Sequence, residues 1–209
     1  MTALQRVWHL TREIVLAEIA IWTALGRWIV RRPAVPKNAT PIGYAQLVGP
    51  ILWLWIFGSA VEVVVVDVIA HRYFPDAVRL PLLVLGIWGV LWMIGLYAAY
   101  RTRPHVLNAD ALIARGGLRS QVTVPLDQVV SVASAQHELP GIVKTLHVED
   151  DLLLLGVSSE TNLELVLAGP TPLATSNGEV TANRVGIWVD EPRDVAALLR
   201  GKRELSRPA

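Results

Sequence analysis

The chain has 209 residues, of which 53% are hydrophobic and 18% are charged, with a net charge of +1 and no cysteine. A soluble domain keeps about a quarter of its residues charged, so part of this hydrophobic surface is expected to face lipid. The lack of cysteine excludes disulfides, thiolate catalysis and cysteine metal ligands, and the small net charge gives no basis for a nucleic-acid partner.

Residues 1–32 predict an amphipathic helix that lies in a membrane interface. A period of 100° per residue collects most polar and charged side chains on one face and leaves the tryptophans outside it. Glu18 is an exception, because it falls on the apolar side. A third membrane span is the alternative, and it would reverse the side of the N-terminus. Residues 33–43, which carry several prolines, predict a linker.

Residues 44–100 predict a hairpin of two transmembrane helices. The second segment, 80–100, has 21 positions without a charge, which makes about 30 Å of helix and matches the hydrocarbon core. The first segment, 44–70, is apolar as far as Val61 and then carries two carboxylates. A buried core helix is the alternative for this segment, but the rest of the chain has too little hydrophobic surface to cover it.

The distribution of basic residues predicts the orientation of this hairpin. More arginines and lysines flank the two outer ends than the connecting tip, so the positive-inside bias places both termini in the cytoplasm. Arginine outnumbers lysine by 16 to 3, which hints at a bacterial source. The expected location is therefore the bacterial inner (cytoplasmic) membrane, as a multi-pass protein.

After Pro104 the hydrophobic period changes from 3.6 to 2, which predicts seven or eight short strands. The predicted strands are 105–108, 111–115, 120–126, 129–135, 145–148, 152–157, 163–167 and 184–189. The four leucines of 152–155 do not alternate, so this strand is expected to be buried on both faces.

A loop and a final helix complete the predicted domain. Residues 168–182 are rich in Thr, Pro, Asn and Gly and predict a loop. Asp190, followed by Glu and Pro, predicts the N-cap of a C-terminal helix. Val195, Leu198 and Leu199 fall on one face of that helix, which is expected to pack on the strands.

The run ALIARGGLRSQVTVPLDQVVSV, residues 111–132, and the order of strands followed by one helix resemble the bacterial pleckstrin-homology-like domains found next to paired membrane spans. The residues that carry the resemblance are Leu112, Arg115, Gly116, Val124, Pro125, Leu126, Asp127, Val129, Ser131 and Val132. The resemblance implies that residues 104–203 form a small β-barrel or sandwich of about seven strands, capped by the helix. The fold class is thus a membrane α-helical hairpin plus a β domain.

Related eukaryotic domains often bind inositol phosphates through a basic first hairpin loop. The corresponding loop here, 108–110, has no basic residue, so that ligand is not implied.

Glu62, Asp67 and His71 are the candidate functional residues of the hairpin. A carboxylate in hydrocarbon costs about 2.5–3.5 kcal/mol and usually has a functional or pairing reason. Solvation at the helix end, or a salt bridge with Arg72 or Arg79, is one interpretation. A proton-linked or ion-linked role is the other.

Seven basic residues are candidates for a cytoplasmic belt that faces anionic lipid, where each contributes about 1 kcal/mol near the surface. They are Arg101, Arg103, Arg115, Arg119, Arg200, Lys202 and Arg203. The alternative is an ordinary positive-inside flank without a specific ligand.

The sequence lacks catalytic motifs, phosphate loops and metal-ligand spacings, so we expect neither enzymatic activity nor a cofactor. The predicted function is a non-catalytic inner-membrane protein that presents a cytoplasmic pleckstrin-homology-like domain to a protein partner or to the bilayer surface. The alternative is an accessory subunit of a transporter or ion-coupled complex that uses Glu62 and Asp67.

Overall fold

The computed structural model describes residues 3–141 and 145–206. Within these ranges the chain forms four α-helices and a mixed β-sheet. The helices are α1 (Ala3–Ile29), α2 (Gly49–Tyr73), α3 (Asp76–Thr102) and α4 (Pro192–Ser206).

Of the described helices, α2 and α3 are long and apolar enough to cross a membrane. Their 25 and 27 residues correspond to about 37 and 40 Å at 1.5 Å per residue. Helix α2 begins five residues later than predicted, and Pro50 lies in its first turn, where the missing N–H is not needed. Helix α3 begins four residues earlier than predicted, directly after the two-residue tip of the hairpin.

Most apolar side chains of α2 and α3 point away from the protein. Leu54 and Phe57, for example, are both 68% exposed. A soluble protein rarely leaves a continuous apolar surface of this extent in water. The two helices therefore need a lipid or protein environment around them.

Helix α1 packs against the second half of α3 and runs parallel to it. Ile21 contacts Gly95 so closely that a side-chain carbon on the glycine would lie 2.5 Å from the isoleucine. Glu18 accepts hydrogen bonds from the indole nitrogens of Trp22 (3.1 Å) and Trp92 (3.0 Å). The position that interrupts the amphipathic pattern thus joins α1 to α3.

The predicted linker 33–43 is not wholly irregular. Thr40–Ile42 forms strand β1, which pairs with strand β2, His105–Leu107. This pairing is non-local, because it joins the segment before α2 to the segment after α3. Strand β1 has only three residues and a central proline, so its sequence shows no alternation that would predict a strand.

Eleven strands lie in the described residues, and all eight predicted strands are among them. The remaining strands are β3 (Ala111–Gly116), β4 (Ser120–Pro125), β5 (Val129–Ala133), β6 (His137–Glu138), β7 (Leu146–Glu149), β8 (Leu152–Leu155), β9 (Glu160–Thr161), β10 (Leu163–Thr175) and β11 (Gly178–Ile187). A short 3₁₀ helix, Leu126–Gln128, follows β4. The strands β1, β6 and β9 were not predicted.

Nine strands form one sheet with the order β1-β2-β3-β4-β10-β11-β8-β7, and β5 pairs with the first half of β10. Strands β6 and β9 pair separately. Strands β8 and β11 are parallel, whereas the other strand pairs are antiparallel, so the sheet is mixed.

The segment 168–182 is a β-hairpin, so the predicted loop is wrong. Strands β10 and β11 continue through it and turn at Ser176 and Asn177. Gly169 and Pro170 lie at a register shift between Val166 and Thr171, where a bulge tolerates both residue types. The turn-like composition marks this bulge and the exposed half of the hairpin, not a loop.

Strand β8 is buried on both faces, as predicted. Leu153 and Leu155 belong to the main core, while Leu152 and Leu154 pack with Leu139. Strand β8 is also flanked in the sheet by β7 and β11. Its second face is therefore covered by the chain around β6.

Helix α4 packs on the core near β5, but with a different face from the one predicted. Val195, Ala196 and Leu199 are buried, whereas Leu198 is 38% exposed. The helix is rotated toward Ala196, because a small side chain allows closer approach to the sheet. Leu198 is left beside a surface cleft.

Candidate functional site

Glu62 lies near the middle of α2. It is 13 residues from Gly49 and 11 from Tyr73, or about 20 and 17 Å from the two ends. Because α2 begins at Gly49 and ends at Tyr73, Glu62 lies nearer the middle of the helix than the predicted bounds 44–70 implied. Its carboxylate has no hydrogen bond or ion pair with any described residue. Glu62 is therefore an unpaired acid within the apolar hairpin.

Asp67 is paired, in contrast to Glu62. Arg79 of α3 donates to both carboxylate oxygens of Asp67, from Nε at 2.8 Å and from Nη2 at 3.0 Å. Nη1 of Arg79 lies 3.1 Å from Nδ1 of His71 and 3.8 Å from a carboxylate oxygen of Asp76. Of the two arginines that the sequence offered to Asp67, the structure selects Arg79. This bidentate pair joins α2 and α3 near the tip of the hairpin.

A cleft of about 410 Å³ separates α2 and α3 and is lined by Glu62, Asp67 and Arg79. The helices approach closely beside it, where a side-chain carbon on Gly86 would lie 2.7 Å from Val63. Ser59 Oγ adds a hydroxyl, which contacts the sulfur of Met93 at 3.9 Å. The cleft thus offers one unpaired carboxylate in largely apolar surroundings.

The described residues contain no group of three or more His, Asp or Glu side chains placed to hold a metal ion. Asp67 and His71 both contact Arg79, so a cation is already present between them. The unpaired carboxylate of Glu62 and the hydroxyl of Ser59 are the other polar groups of the cleft, and both can take part in hydrogen bonds.

Four of the predicted basic residues lie where the helices meet the β domain. Arg101 is exposed at the end of α3. Arg103 points Nη1 at the carbonyl of Gly117, 3.5 Å away. Arg119 forms an ion pair with Glu13 of α1 at 2.6 Å. These residues share one side of the β domain, next to the helices.

The guanidinium of Arg115 forms hydrogen bonds within the protein. Its Nη1 donates to the carbonyls of Ala34 (2.7 Å) and Pro104 (3.4 Å). The guanidinium therefore joins the linker before α2 to the exit of α3. This residue belongs to the junction of helices and domain, and its bonded Nη1 is not available to lipid.

The basic residues of α4 lie elsewhere. Helix α4 starts beside Gly43 and the entrance to α2, and it runs away from the helices. Arg200 donates to the carbonyl of Val132 (2.8 Å), and Lys202 donates to the carbonyl of Asn108 (3.3 Å), at the end of β2 remote from α3. The side chain of Arg203 lies outside the described part of the structure. The six belt residues whose side chains the structure describes are not brought together on one surface.

A buried aromatic cluster links the helices to the β domain, and the sequence gave no sign of it. Tyr44 stacks on His105 with ring centroids 4.6 Å apart and meets Tyr100 edge-on at 5.8 Å. The backbone N–H of Arg115 donates to Nδ1 of His105 (2.8 Å), so the ring proton is on Nε2, which donates to the carbonyl of Trp188 (2.7 Å). Burial lowers the pKa of His105 to about 4, so the ring is neutral.

Asp190 provides a second link, and it does not cap α4 as predicted. Its carboxylate accepts the backbone N–H groups of Ala45 (3.2 Å) and Gln46 (2.9 Å), just before α2. A side-chain carbon on Gly43 would lie 2.6 Å from an oxygen of this carboxylate. The acid therefore fixes the entrance of α2 onto the end of β11.

Comparison of the chain with protein families, with curated proteins and with solved structures found no match.

Proposed function

We propose that the chain is a non-catalytic protein of the bacterial inner membrane that holds a cytoplasmic β domain against the bilayer for binding. The binding partner is a second protein or the lipid surface. The hairpin α2–α3 spans the bilayer, and α1 packs beside the cytoplasmic half of α3. The β domain is a variant of the pleckstrin-homology-like fold in which one strand pair is parallel.

The observation that carries this proposal is that exposed apolar side chains and arginines lie on different parts of the structure. Exposed apolar side chains cover α2 and α3, whereas arginines collect where these helices enter the β domain. This pattern fits a hydrocarbon layer bounded on one side by anionic head groups. Helix α1 fits the same boundary, because Glu13 pairs with Arg119 of the domain while Ile14 and Ile19 are exposed.

Rigid links between hairpin and domain support a role in presentation. The Tyr44–His105 stack, the Arg115 bonds and the Asp190 bonds all connect segments far apart in the chain. A domain held by such contacts keeps one fixed surface toward the bilayer and another toward the cytoplasm. A flexible tether would leave both surfaces free to rotate.

Purification of the tagged full-length chain in mild detergent, followed by mass spectrometry, tests the proposal. We expect a stoichiometric partner whose recovery falls with Leu198→Asp, because Leu198 is exposed beside a cleft of about 440 Å³ on the domain. Leu54→Ala, at an exposed position of α2, is the control and should not change recovery. Extraction of the chain from membranes by alkaline carbonate would contradict the proposal.

A second candidate function rests on Glu62. An unpaired carboxylate at mid-hairpin favours an accessory subunit in which Glu62 pairs with a polar group of another membrane protein or exchanges a proton. Under this alternative, Glu62→Gln and Glu62→Ala remove the co-purifying partner, while Leu198→Asp does not. If both Glu62 variants retain partners and accumulate normally, this role is ruled out.

A further inference from the structure

Three arginines from three different segments line one small cleft. Arg27 comes from α1, Arg103 from the end of α3, and Arg119 from the turn between β3 and β4. The cleft has a volume of about 350 Å³. Ligand pockets usually measure about 300–1,000 Å³, so this cleft suits a compact group.

Neutral hydrogen-bonding groups complete the lining. Thr23 of α1, Gln121 of β4 and Ser176 at the tip of the β10–β11 hairpin also face the cleft. The tip is held there by a bond from the backbone N–H of Ser176 to the carbonyl of Gln121 (3.0 Å). Hydroxyl and amide groups beside guanidinium groups are the donors that phosphate oxygens use.

The positive charge of the cleft is poorly compensated. Among the described residues, Glu13 is the one carboxylate that pairs with any of the three arginines, and it pairs with Arg119. Burial lowers the pKa of Arg103, and the neighbouring charges of Arg115, Arg27 and Arg119 lower it further. Mutual repulsion of this kind is relieved by an anion.

A second group of arginines extends the positive surface. Arg27 also lines a neighbouring cleft of about 560 Å³ together with Arg31, Arg32 and Arg101. Arg27 therefore lies between two basic clefts, with no bond from its guanidinium group to a described residue. Among Arg27, Arg103 and Arg119, it is the most available cation.

We propose that the Arg27–Arg103–Arg119 cleft is a binding site for a phosphate group, carried by an anionic phospholipid of the adjacent leaflet or by a soluble phosphate monoester. This inference rests on the proposed function, since the cleft then lies where α1 meets the β domain, at head-group level. Glu13 occupies the guanidinium of Arg119 in the absence of ligand. Binding of phosphate releases Glu13, so the ion pair sets the affinity.

Calorimetric titration of the full-length chain in zwitterionic detergent tests the site. The probes are dihexanoyl phosphatidylglycerol, dihexanoyl phosphatidylcholine, glycerol 3-phosphate and inorganic phosphate. Arg27→Gln should weaken phosphatidylglycerol binding about tenfold, because it removes one charge-assisted hydrogen bond. Glu13→Gln should strengthen binding severalfold by freeing Arg119. Arg193→Gln, at an exposed arginine of α4, is the charge-matched control and should have no effect.

The outcomes distinguish a lipid phosphate from a soluble one. They also distinguish failure of the phosphate site from failure of the proposed function. Binding of phosphatidylglycerol alone identifies a lipid ligand, and equal binding of glycerol 3-phosphate identifies a soluble one. Any of three results overturns the site. Phosphatidylcholine binds as tightly as phosphatidylglycerol, Arg27→Gln and Arg193→Gln have equal effects, or Glu13→Gln binds more weakly than the wild type. If the chain nevertheless resists carbonate extraction, only the phosphate site has failed. If carbonate extracts the chain, the membrane proposal has failed whatever the titrations show.

Discussion

His105 makes the stability of the junction depend on pH. Its folded-state pKa of about 4 lies below the ordinary value of 6.5, because the ring is buried and Arg115 already donates to Nδ1. The unfolded chain therefore binds a proton between pH 6.5 and 4 that the folded chain does not bind. Stability falls with decreasing pH through this window and levels off below the folded pKa.

The two pKa values give a loss of about 2 kcal/mol in unfolding free energy between pH 7 and pH 5. Urea titration of the full-length chain in detergent, followed by tryptophan fluorescence, measures this loss. His105→Gln should be less stable at pH 7 and should lack this share of the pH dependence. His147→Gln, at a histidine that is not fully buried, should keep it. If the unfolding free energy changes equally with pH in the wild type and in His105→Gln, the assignment to His105 is refuted.

Three further substitutions test contacts that position the hairpin. Gly43→Ala should destabilise the junction by about 1–3 kcal/mol, because the methyl group displaces Asp190 from the two N–H groups that it accepts; the same urea titration measures the loss, and an unchanged midpoint would contradict it. Asp67→Asn should lower the amount of protein in the membrane, since it leaves Arg79 with the more distant carboxylate of Asp76 as its charged partner, and the double variant with Arg79→Gln should recover it; immunoblots of membrane fractions decide this. Gly95→Val should separate α1 from α3, because no side chain fits at this crossing, and faster proteolysis of α1 is the expected result.

Local patterns predicted the parts of the fold that depend on local rules. The uncharged run of 80–100 identified a long apolar helix, and Gly117 adopts the positive φ that the predicted β3–β4 turn needs. Strand β4, predicted over 120–126, ends one residue earlier, at Pro125. The segment 168–182 was misread because its Pro and Gly residues lie at a bulge, where tertiary pairing decides the structure.

The candidate sites were only partly predictable for a similar reason. Glu62 and Asp67 stand out in an apolar sequence, but the pairing of Asp67 with Arg79 depends on how two helices face each other. Tyr44 and His105 are 61 positions apart, and no spacing rule predicts their stack. Arg27 belongs to the basic flank before the first predicted span, but its position beside Arg103 and Arg119 depends on the fold.

The central claim is that α2 and α3 cross the membrane and leave the β domain in the cytoplasm. The chain has no cysteine, so single substitutions can be labelled without background. Tyr73→Cys probes the hairpin tip, where Tyr73 is 76% exposed, and Asn177→Cys probes the turn between β10 and β11. In intact spheroplasts a membrane-impermeant maleimide should label Tyr73→Cys and should label Asn177→Cys only after lysis. Labelling of Asn177→Cys in intact spheroplasts would contradict the account.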